Sequence, residues 1–359
     1  MAFPKDATSW AGVRNSTPMR RLTFNRSQRN RGYRAIVTAR NRTILLVAAT
    51  AAVVAAAVVG ITAATSSSPK GTAAAGPQVR PGAPPLSLDL GVRTDREATD
   101  LRRAIGLYDA GKHQAAGRIF ARHDSLEARI GESFSSWPDG TVAQLTQLSG
   151  LHPKSAAVQL NLGIARFWAG EAGSRDAWLS AASLEPDTAY AVTAGNLLYP
   201  NFARNLPVFV PTGSVPAAVA GLSAPAQVAL LERRARTGST ADRLLYGVAL
   251  QRLGRQRSAE LEYARAARLA PNDPEARVAA AVGLFDKAKP VGAFSRLGPL
   301  TKTFPSAATV RFHLGLLLLW SGQVKEARHQ LQLVSKVEPG SPLVAVAGQY
   351  LDELRKAGV

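Results

Sequence analysis

Residues that carry most enzyme chemistry are sparse in this chain. Its 359 residues include no cysteine, which excludes a disulfide framework, a thiolate metal site and a cysteine nucleophile. The histidines stand singly, without a His-x3-His pair or a glutamate at metalloprotease spacing, and no Gly-x-Ser-x-Gly string is present. We therefore predict no catalytic residue, no metal site and no cofactor. The histidines are His113, His123, His152, His313 and His329.

One stretch has the letters of a nucleotide-binding loop without its context. Residues Gly106 to Lys112 read Gly-x4-Gly-Lys, but His113 stands where such a loop needs a magnesium-binding Ser or Thr. The stretch also falls on a predicted helix and its turn, whereas a phosphate-binding loop joins a strand to a helix. We predict that it binds no phosphate and that the chain is not an enzyme.

The net charge of the chain is strongly positive but unevenly distributed. The formal charge is +19, which by itself would suggest nucleic acid as a partner. The first 43 residues, however, hold ten Lys or Arg and a single Asp. This concentration in one segment favours a membrane-flanking tail, so we predict no nucleic-acid partner. The excess of Arg over Lys and the high Ala content are typical of a GC-rich bacterium.

The elements that would position any site are helices repeated with a fixed period. Pro271, Pro305 and Pro339 lie 34 residues apart, and small or apolar residues recur at matching places between them. In each unit one apolar helical stripe ends at a small residue (Gly254, Ala288 or Gly322), and a second stripe follows it. A helix hairpin of this size cannot bury its apolar stripe alone. Stacking of successive hairpins must therefore supply the core, which predicts an all-α solenoid.

These units resemble the tetratricopeptide repeat. The last copy carries Leu314-Gly315, Leu318, Ala327 and Pro339 at the family's positions, and the first copy matches as well. The middle copy departs from the pattern, because Ala281 replaces the glycine and Pro290 lies near the turn between its helices. The resemblance implies a repeat domain over residues 95–359. Its clearest units are 240–273, 274–307 and 308–341.

Weaker units precede these three. Residues 155–187 and about 97–130 fit the same pattern, and residues 188–239 fit an interrupted repeat with a Pro-rich insertion at 199–224. A long loop among short turns is often functional, although it could equally cover an end of the stack. Residues 342–357 are predicted to form a closing helix with a polar outer face.

The N-terminal part predicts a membrane anchor. Residues 1–43 read as a disordered basic tail, and Ile44 to Ala64 form an uncharged stretch long enough to cross a bilayer as one helix. Residues 65–94 are rich in Pro, Gly and Ser, which predicts a flexible linker. Because the Arg-rich flank precedes the apolar stretch, the tail is expected in the cytoplasm and the repeats outside. The alternative is a cleaved signal peptide and a secreted protein.

The tetratricopeptide resemblance also implies a binding groove, because the first helices of such repeats line the concave surface. At the corresponding positions this chain is mainly apolar and aromatic, which favours a hydrophobic or helical segment of a partner protein. The alternative is that Trp168 and Trp320 only close contacts between helices. The groove residues implied are Phe167, Trp168, Gln251, Arg252, Phe285, Asp286, Phe312 and Trp320.

The sequence thus predicts a single-pass membrane scaffold for protein–protein interaction on the extracytoplasmic face. The layout of anchor plus repeats resembles bacterial partners of the secretion channel and assembly factors for envelope enzymes. Two alternatives stay open. One is a secreted adaptor released by cleavage, and the other is an enzyme or ligand-binding receptor that uses the loop 199–216.

Overall fold

The computed structural model describes residues 80–358, and in this range the chain is all helical with extended connections. The predicted tail (1–43), membrane helix (44–64) and first part of the linker (65–79) lie outside the described residues. The described helices are α1 (Arg96–Asp109), α2 (His113–Phe120), α3 (Leu126–Ser135), α4 (Thr141–Leu151), α5 (Ala156–Ala169), α6 (Ser174–Leu184), α7 (Ala189–Leu198), α8 (Ala217–Ala220), α9 (Ala224–Thr237), α10 (Thr240–Arg252), α11 (Gln256–Leu269), α12 (Pro274–Gly283), α13 (Val291–Leu297), α14 (Leu300–Thr303), α15 (Ala308–Trp320), α16 (Val324–Val337) and α17 (Leu343–Lys356).

The helices pair into hairpins that stack along the chain. Helices α10, α12 and α15 begin at residues 240, 274 and 308, which reproduces the 34-residue period of the sequence. Each packs against the helix that follows it, and α11 also packs against α12. The prediction of an all-helical repeat fold built of tetratricopeptide-like hairpins is therefore confirmed for the described residues.

Glycines allow the two helices of a hairpin to approach closely. Gly247 on α10 faces Tyr263 on α11, and a Cβ atom at this glycine would lie 2.3 Å from the tyrosine ring carbon Cε1. At Gly163 on α5 the same atom would lie 2.5 Å from the Trp178 ring. Any larger residue would push the helices apart, so the small slots of the repeat are explained by the width of the crossing.

The middle hairpin is irregular in its second half. Where the other repeats have one long second helix, this one has α13 and the four-residue α14, separated by Gly298 and Pro299. Pro290 occupies the residue before α13. Proline removes a backbone donor and is disfavoured inside a continuous helix, so Pro299 explains the break between α13 and α14, and Pro290 marks the start of α13.

A glutamate closes the open end of two hairpins. The Glu185 carboxylate, just after α6, accepts a hydrogen bond at 2.6 Å from the backbone N–H of Ala156 at the start of α5. The Glu338 carboxylate, just after α16, accepts one at 2.9 Å from Ala308 at the start of α15. Each carboxylate satisfies a free N–H of the first helical turn and lies at the positive end of the helix dipole.

Two hydrophobic cores divide the described chain. The N-terminal core is built from helices α1–α7, and the C-terminal core from residues 203–354. Helix α9 packs on α10, and within the part of the chain that the structure describes it does not pack against α7. The stacks meet where the Asp187 carboxylate accepts hydrogen bonds from the backbone N–H of Ser258 at 3.0 Å and from its hydroxyl at 2.6 Å.

Helix α17 closes the C-terminal end by packing on α15 and α16. Its outer face carries two ion pairs, Arg355 with Asp352 and Lys356 with Glu353. Within residues 80–358, no helix combines the length and apolar character that a membrane crossing requires.

Candidate partner-binding faces

The loop inserted after α7 lies on the first helices of the C-terminal stack. We call residues 202–212 the plug and the surface formed by α10, α12 and α15 the C-terminal face. The backbone N–H of Ala203 donates to the carbonyl of Trp320 at 3.2 Å, at the end of α15. The N–H of Thr212 donates to the Glu275 carboxylate at 2.6 Å, at the start of α12. The plug therefore runs opposite to these helices.

Side chains of the face bind the plug through its backbone. The Gln251 side-chain oxygen accepts from the N–H of Phe209 at 3.0 Å and from the Tyr263 hydroxyl at 2.8 Å. The Gln251 amide group donates back to the carbonyl of Pro207 at 3.4 Å. This glutamine thus holds both a donor and an acceptor of the plug.

Phe209 anchors the plug in the core. Its side chain is 0% exposed and lies between the Tyr263 ring, 5.7 Å away, and the His313 ring, 4.9 Å away and nearly parallel. Ala203 and Pro207 are also buried. Because these residues belong to the C-terminal core, removing the plug would expose a large apolar area to water.

His313 is a neutral acceptor beneath the plug. Its Nε2 accepts a hydrogen bond from the N–H of Val210 at 2.9 Å, so this nitrogen carries no proton. The proton must then be on Nδ1, which donates to the carbonyl of Thr309 at 2.7 Å. Complete burial lowers the pKa of His313 to about 4, and the bond to Thr309 opposes this shift only partly.

A buried lysine binds the asparagine of α7 that holds the base of the plug. Lys287 is 4% exposed, and its Nζ donates to the Asn196 side-chain oxygen at 2.6 Å. The same oxygen accepts from the N–H of Asn205 at 2.8 Å. Burial, together with repulsion from Arg204, lowers the pKa of Lys287 to about 8.

A second extended segment lies on the N-terminal stack. We call residues 80–90 the strap and the surface formed by α1, α5 and α7 the N-terminal face. The N–H of Arg80 donates to the carbonyl of Trp168 at 2.8 Å, at the end of α5, and its guanidinium lies 3.9 Å from the centre of the Phe167 ring. The N–H of Ser87 reaches Asn161 in the middle of α5. The strap thus also runs opposite to the helix that holds it.

Asn161 binds both backbone groups of Ser87. Its side-chain oxygen accepts from the Ser87 N–H at 3.1 Å, and its amide group donates to the Ser87 carbonyl at 2.8 Å. The amide group also donates to the carbonyl of Ala157, one turn earlier in α5, at 2.8 Å. This third bond fixes the orientation of the amide before any segment binds.

Two tyrosine hydroxyls complete the contacts to the strap backbone. The Tyr190 hydroxyl accepts from the Asp89 N–H at 3.0 Å and lies 3.4 Å from the Asp89 carbonyl. The Tyr108 hydroxyl donates to the carbonyl of Pro84 at 2.7 Å. Burial raises the pKa of both tyrosines, so the hydroxyls stay protonated.

The strap side chains alternate along the segment. Leu86, Leu88 and Leu90 pack against the N-terminal core, with Leu90 buried and the other two half-buried. Ser87 and Asp89 lie between these leucines. The Asp89 carboxylate accepts a hydrogen bond from the N–H of Gly91 and makes none to the face. Residues 80–94 lie inside the predicted linker 65–94, yet this part of it is held against the helices. The alternation was the signal for an extended, one-sided segment.

The predicted groove residues divide between the two faces. Phe167 and Trp168 lie at the end of α5, where Arg80 contacts them. On the C-terminal face, Gln251 binds the plug, and Phe285 makes an edge contact with Phe202 at 6.5 Å. As a site for an external partner these residues stay a prediction.

The other predicted residues have mainly structural contacts. The Phe312 ring packs against His313 and Tyr350, and the Trp320 side chain lies in the core while its carbonyl binds the plug. Burial lowers the pKa of Arg252. The Asp286 carboxylate accepts the N–H of Ala288 in the turn after α12. Sequence reasoning missed Asn161, Tyr108, Tyr190 and His313, because each is a single polar residue among apolar ones.

The surroundings of the loop 199–216 bear on whether it could serve an enzyme or a receptor. Residues 80–358 contain no group of three or more His, Asp or Glu side chains close enough to share an ion. The side chains that contact the loop 199–216 are mainly apolar, with Gln251, His313 and Glu275 directed at its backbone. The loop is thus held to the helices by apolar packing and by side chains that bond its backbone.

Known proteins show only weak similarity to this chain. No protein-family model matches the chain, and no curated protein matches it. Among solved structures the chain is similar to one in the crystal structure of the APC/C hetero-tetramer Cut9–Hcn1, at 14% sequence identity and a TM-score of 0.25. The match covers 73% of this chain and 56% of that chain, which is less than two thirds of its length. A likeness this weak carries no conclusion about binding.

Proposed function

We propose that the chain is a non-catalytic, membrane-anchored helical-repeat scaffold that holds a protein partner on the extracytoplasmic side. Partner binding is inferred from one observation: each stack holds an extended polypeptide segment on its first helices. Asn161 and Gln251 each contact a donor and an acceptor of a backbone. Side chains arranged in this way recognise polypeptide rather than a small molecule.

The sequence supports the membrane part. Ile44 to Ala64 is uncharged and long enough to cross a bilayer, and the Arg-rich flank precedes it. In this placement the scaffold would assist secretion or the assembly of envelope complexes. A secreted adaptor, released by cleavage near Ala64, shares the binding function and differs only in the anchor.

Topology is tested with reporter fusions and fractionation. A reporter that works only outside the cytoplasm, fused after Val359, should be active, and the intact protein should sediment with membranes. Replacing Val53 and Val54 with Asp should release it from the membrane fraction, while the same change at Val79 and Val92 should not. An active cytoplasmic reporter at the same place would overturn the topology, and a shortened mature protein would establish the secreted form.

Partner binding is tested by photo-crosslinking in intact cells. A photoreactive phenylalanine analogue at Phe167, on the N-terminal face, should give one membrane-associated adduct of defined mass. The matched control is the same analogue at Leu261, which is 57% exposed on α11 and away from both faces. Equal adducts at both positions, or none at Phe167 and at Asp286, would argue against a scaffold that binds through its first helices.

A further inference from the structure

Within the described residues, the strap is joined along the chain to a helix at its C-terminal end, where it continues through Gly91 to Asp95, whose carboxylate caps α1. At residue 80 it is held to α5 by the hydrogen bond from the Arg80 N–H to the Trp168 carbonyl. The hydrogen bonds that hold Pro84, Ser87 and Asp89 are made by side chains of the helices and not by the helix backbone. Release of the strap would therefore break no backbone hydrogen bond within a helix.

Departure of the strap would leave a prepared site. Asn161 is 0% exposed, and without Ser87 its side-chain oxygen would lose the bond it makes to the strap and its amide group one of two. The bond to Ala157 keeps the amide in place. The uncovered amide would bond water instead, and another extended backbone at the same position would restore both bonds to Asn161 while excluding that water.

The contacts define what that backbone must carry. A helical segment has its N–H and C=O groups bonded internally and would offer Asn161 no free pair, so the ligand is extended. Its apolar side chains must alternate, since Leu86, Leu88 and Leu90 are the ones that pack on the core. The residues between them have no fixed identity, because the face binds Ser87 and Asp89 through their backbone.

We propose that the N-terminal face docks an extended segment of the partner protein that carries leucine or a similar residue at alternate positions, and that the strap is a built-in competitor displaced by it. This inference rests on the proposed function, since it names the chemistry of the partner. The sequence alone favoured a hydrophobic or helical segment, and the inference makes that segment hydrophobic and extended.

The experiment uses the full chain in detergent and a fluorescent peptide with the sequence of residues 80–92. The strap is weakened by Leu86→Ser and Leu88→Ser, which leave the helices unchanged. The peptide should bind this variant about tenfold more tightly than the wild type, because the competing strap is weaker. A peptide of the same composition with its three leucines consecutive should not bind detectably.

Matched substitutions locate the site. In the strap-weakened chain, Asn161→Ala should weaken peptide binding about tenfold, and Tyr190→Phe, which removes one hydroxyl, about threefold. The control Asn272→Ala changes an asparagine exposed in the turn before α12 and should have no effect. Circular dichroism and urea unfolding check that each variant is folded.

Equal binding to the wild type and to the weakened chain, or binding that survives both Asn161→Ala and Tyr190→Phe in folded protein, would overturn the proposal. A concentration-dependent wild-type dimer that the strap substitutions abolish would also overturn it, in favour of exchange between copies. The crosslinking adduct at Phe167 would still be expected if the partner bound elsewhere on that face, so the two proposals can fail separately.

Discussion

Both faces hold an extended segment that runs opposite to the helices, but the plug is packed into its core more deeply than the strap. The plug is joined to helices at both ends, and its Phe209 lies inside the core of the stack that it covers. Within the described residues the strap is joined to a helix only beyond its C-terminal end, and two of its leucines are only half-buried. Similar backbone hydrogen bonds thus serve a structural element in one case and an exchangeable one in the other. Side-chain burial and chain connectivity decide the difference, because hydrogen bonds to backbone alone contribute only about 1 kcal/mol each.

The largest effect should come from removing the anchor of the plug. Phe209→Ala should lower the free energy of unfolding by about 3–5 kcal/mol, because it empties a fully buried aromatic site. Leu88→Ala in the strap should cost about 1 kcal/mol, since its side chain is half-buried. Urea unfolding followed by circular dichroism measures both. Equal costs would remove the distinction between the faces.

Acid should weaken the plug and spare the strap. The pKa of His313 is about 4 in the folded chain and about 6.5 when unfolded, so between these values the unfolded state binds more protons. Stability from this group is therefore full above pH 6.5 and falls by about 3 kcal/mol as the pH approaches 4. His313→Gln should remove this loss, measured by urea unfolding at pH 7 and 4.5. His329→Gln, at an exposed site, should retain it, and parallel profiles for all three proteins would contradict the assignment.

At the base of the plug, we expect a smaller pH dependence of stability, in the alkaline range. The pKa of Lys287 is about 8 in the folded chain and about 10.5 unfolded, so stability should rise as the pH rises from 8 towards 10.5. Lys287→Met should remove that rise. At pH 7 it should leave the free energy of unfolding unchanged or raise it by up to about 2 kcal/mol. The exposed Lys289→Met is the control. A variant with an unchanged alkaline profile would show that Lys287 stays charged.

The smallest effect is a local one. Amide hydrogens of Ser87 and Asp89 should exchange faster than those of Phe209 and Val210, because the strap opens without unfolding a helix. Hydrogen exchange read by mass spectrometry resolves the two segments in one experiment. Denaturant well below the unfolding midpoint should leave the strap rates almost unchanged. Equal protection of both segments would mean that the strap leaves its face only on global unfolding.

Periodicity revealed the architecture but not the contacts between the segments and the faces. The positions of Gly247 and Gly315, and the irregular turn at Pro290, follow from spacing and backbone geometry, and they predict the hairpins. The pairing of Ser87 with Asn161 spans 74 residues, and that of Val210 with His313 spans 103. A single side chain that binds a distant backbone leaves no periodic trace.

The insertion also shows what sequence patterns leave undetermined. Its length and prolines marked residues 199–224 as an interruption, and its aromatic residues were visible. Whether Phe209 points to solvent or into the core depends on the ring of Tyr263 and on the space above α15, which only the folded stack defines. Composition therefore indicates that such a loop exists, whereas packing determines what it does.

The glutamates after α6 and α16 have a consequence for how such a chain grows. Glu185 and Glu338 each tie the end of a hairpin to its own beginning, so this closure is encoded within one unit of sequence. A gene segment that encodes residues 308–341 would include both partners of the bond between Ala308 and Glu338, so a duplicated copy would retain it. If that segment were copied to lengthen the stack, the only new requirement would be that its surfaces pack against those of the neighbouring hairpins.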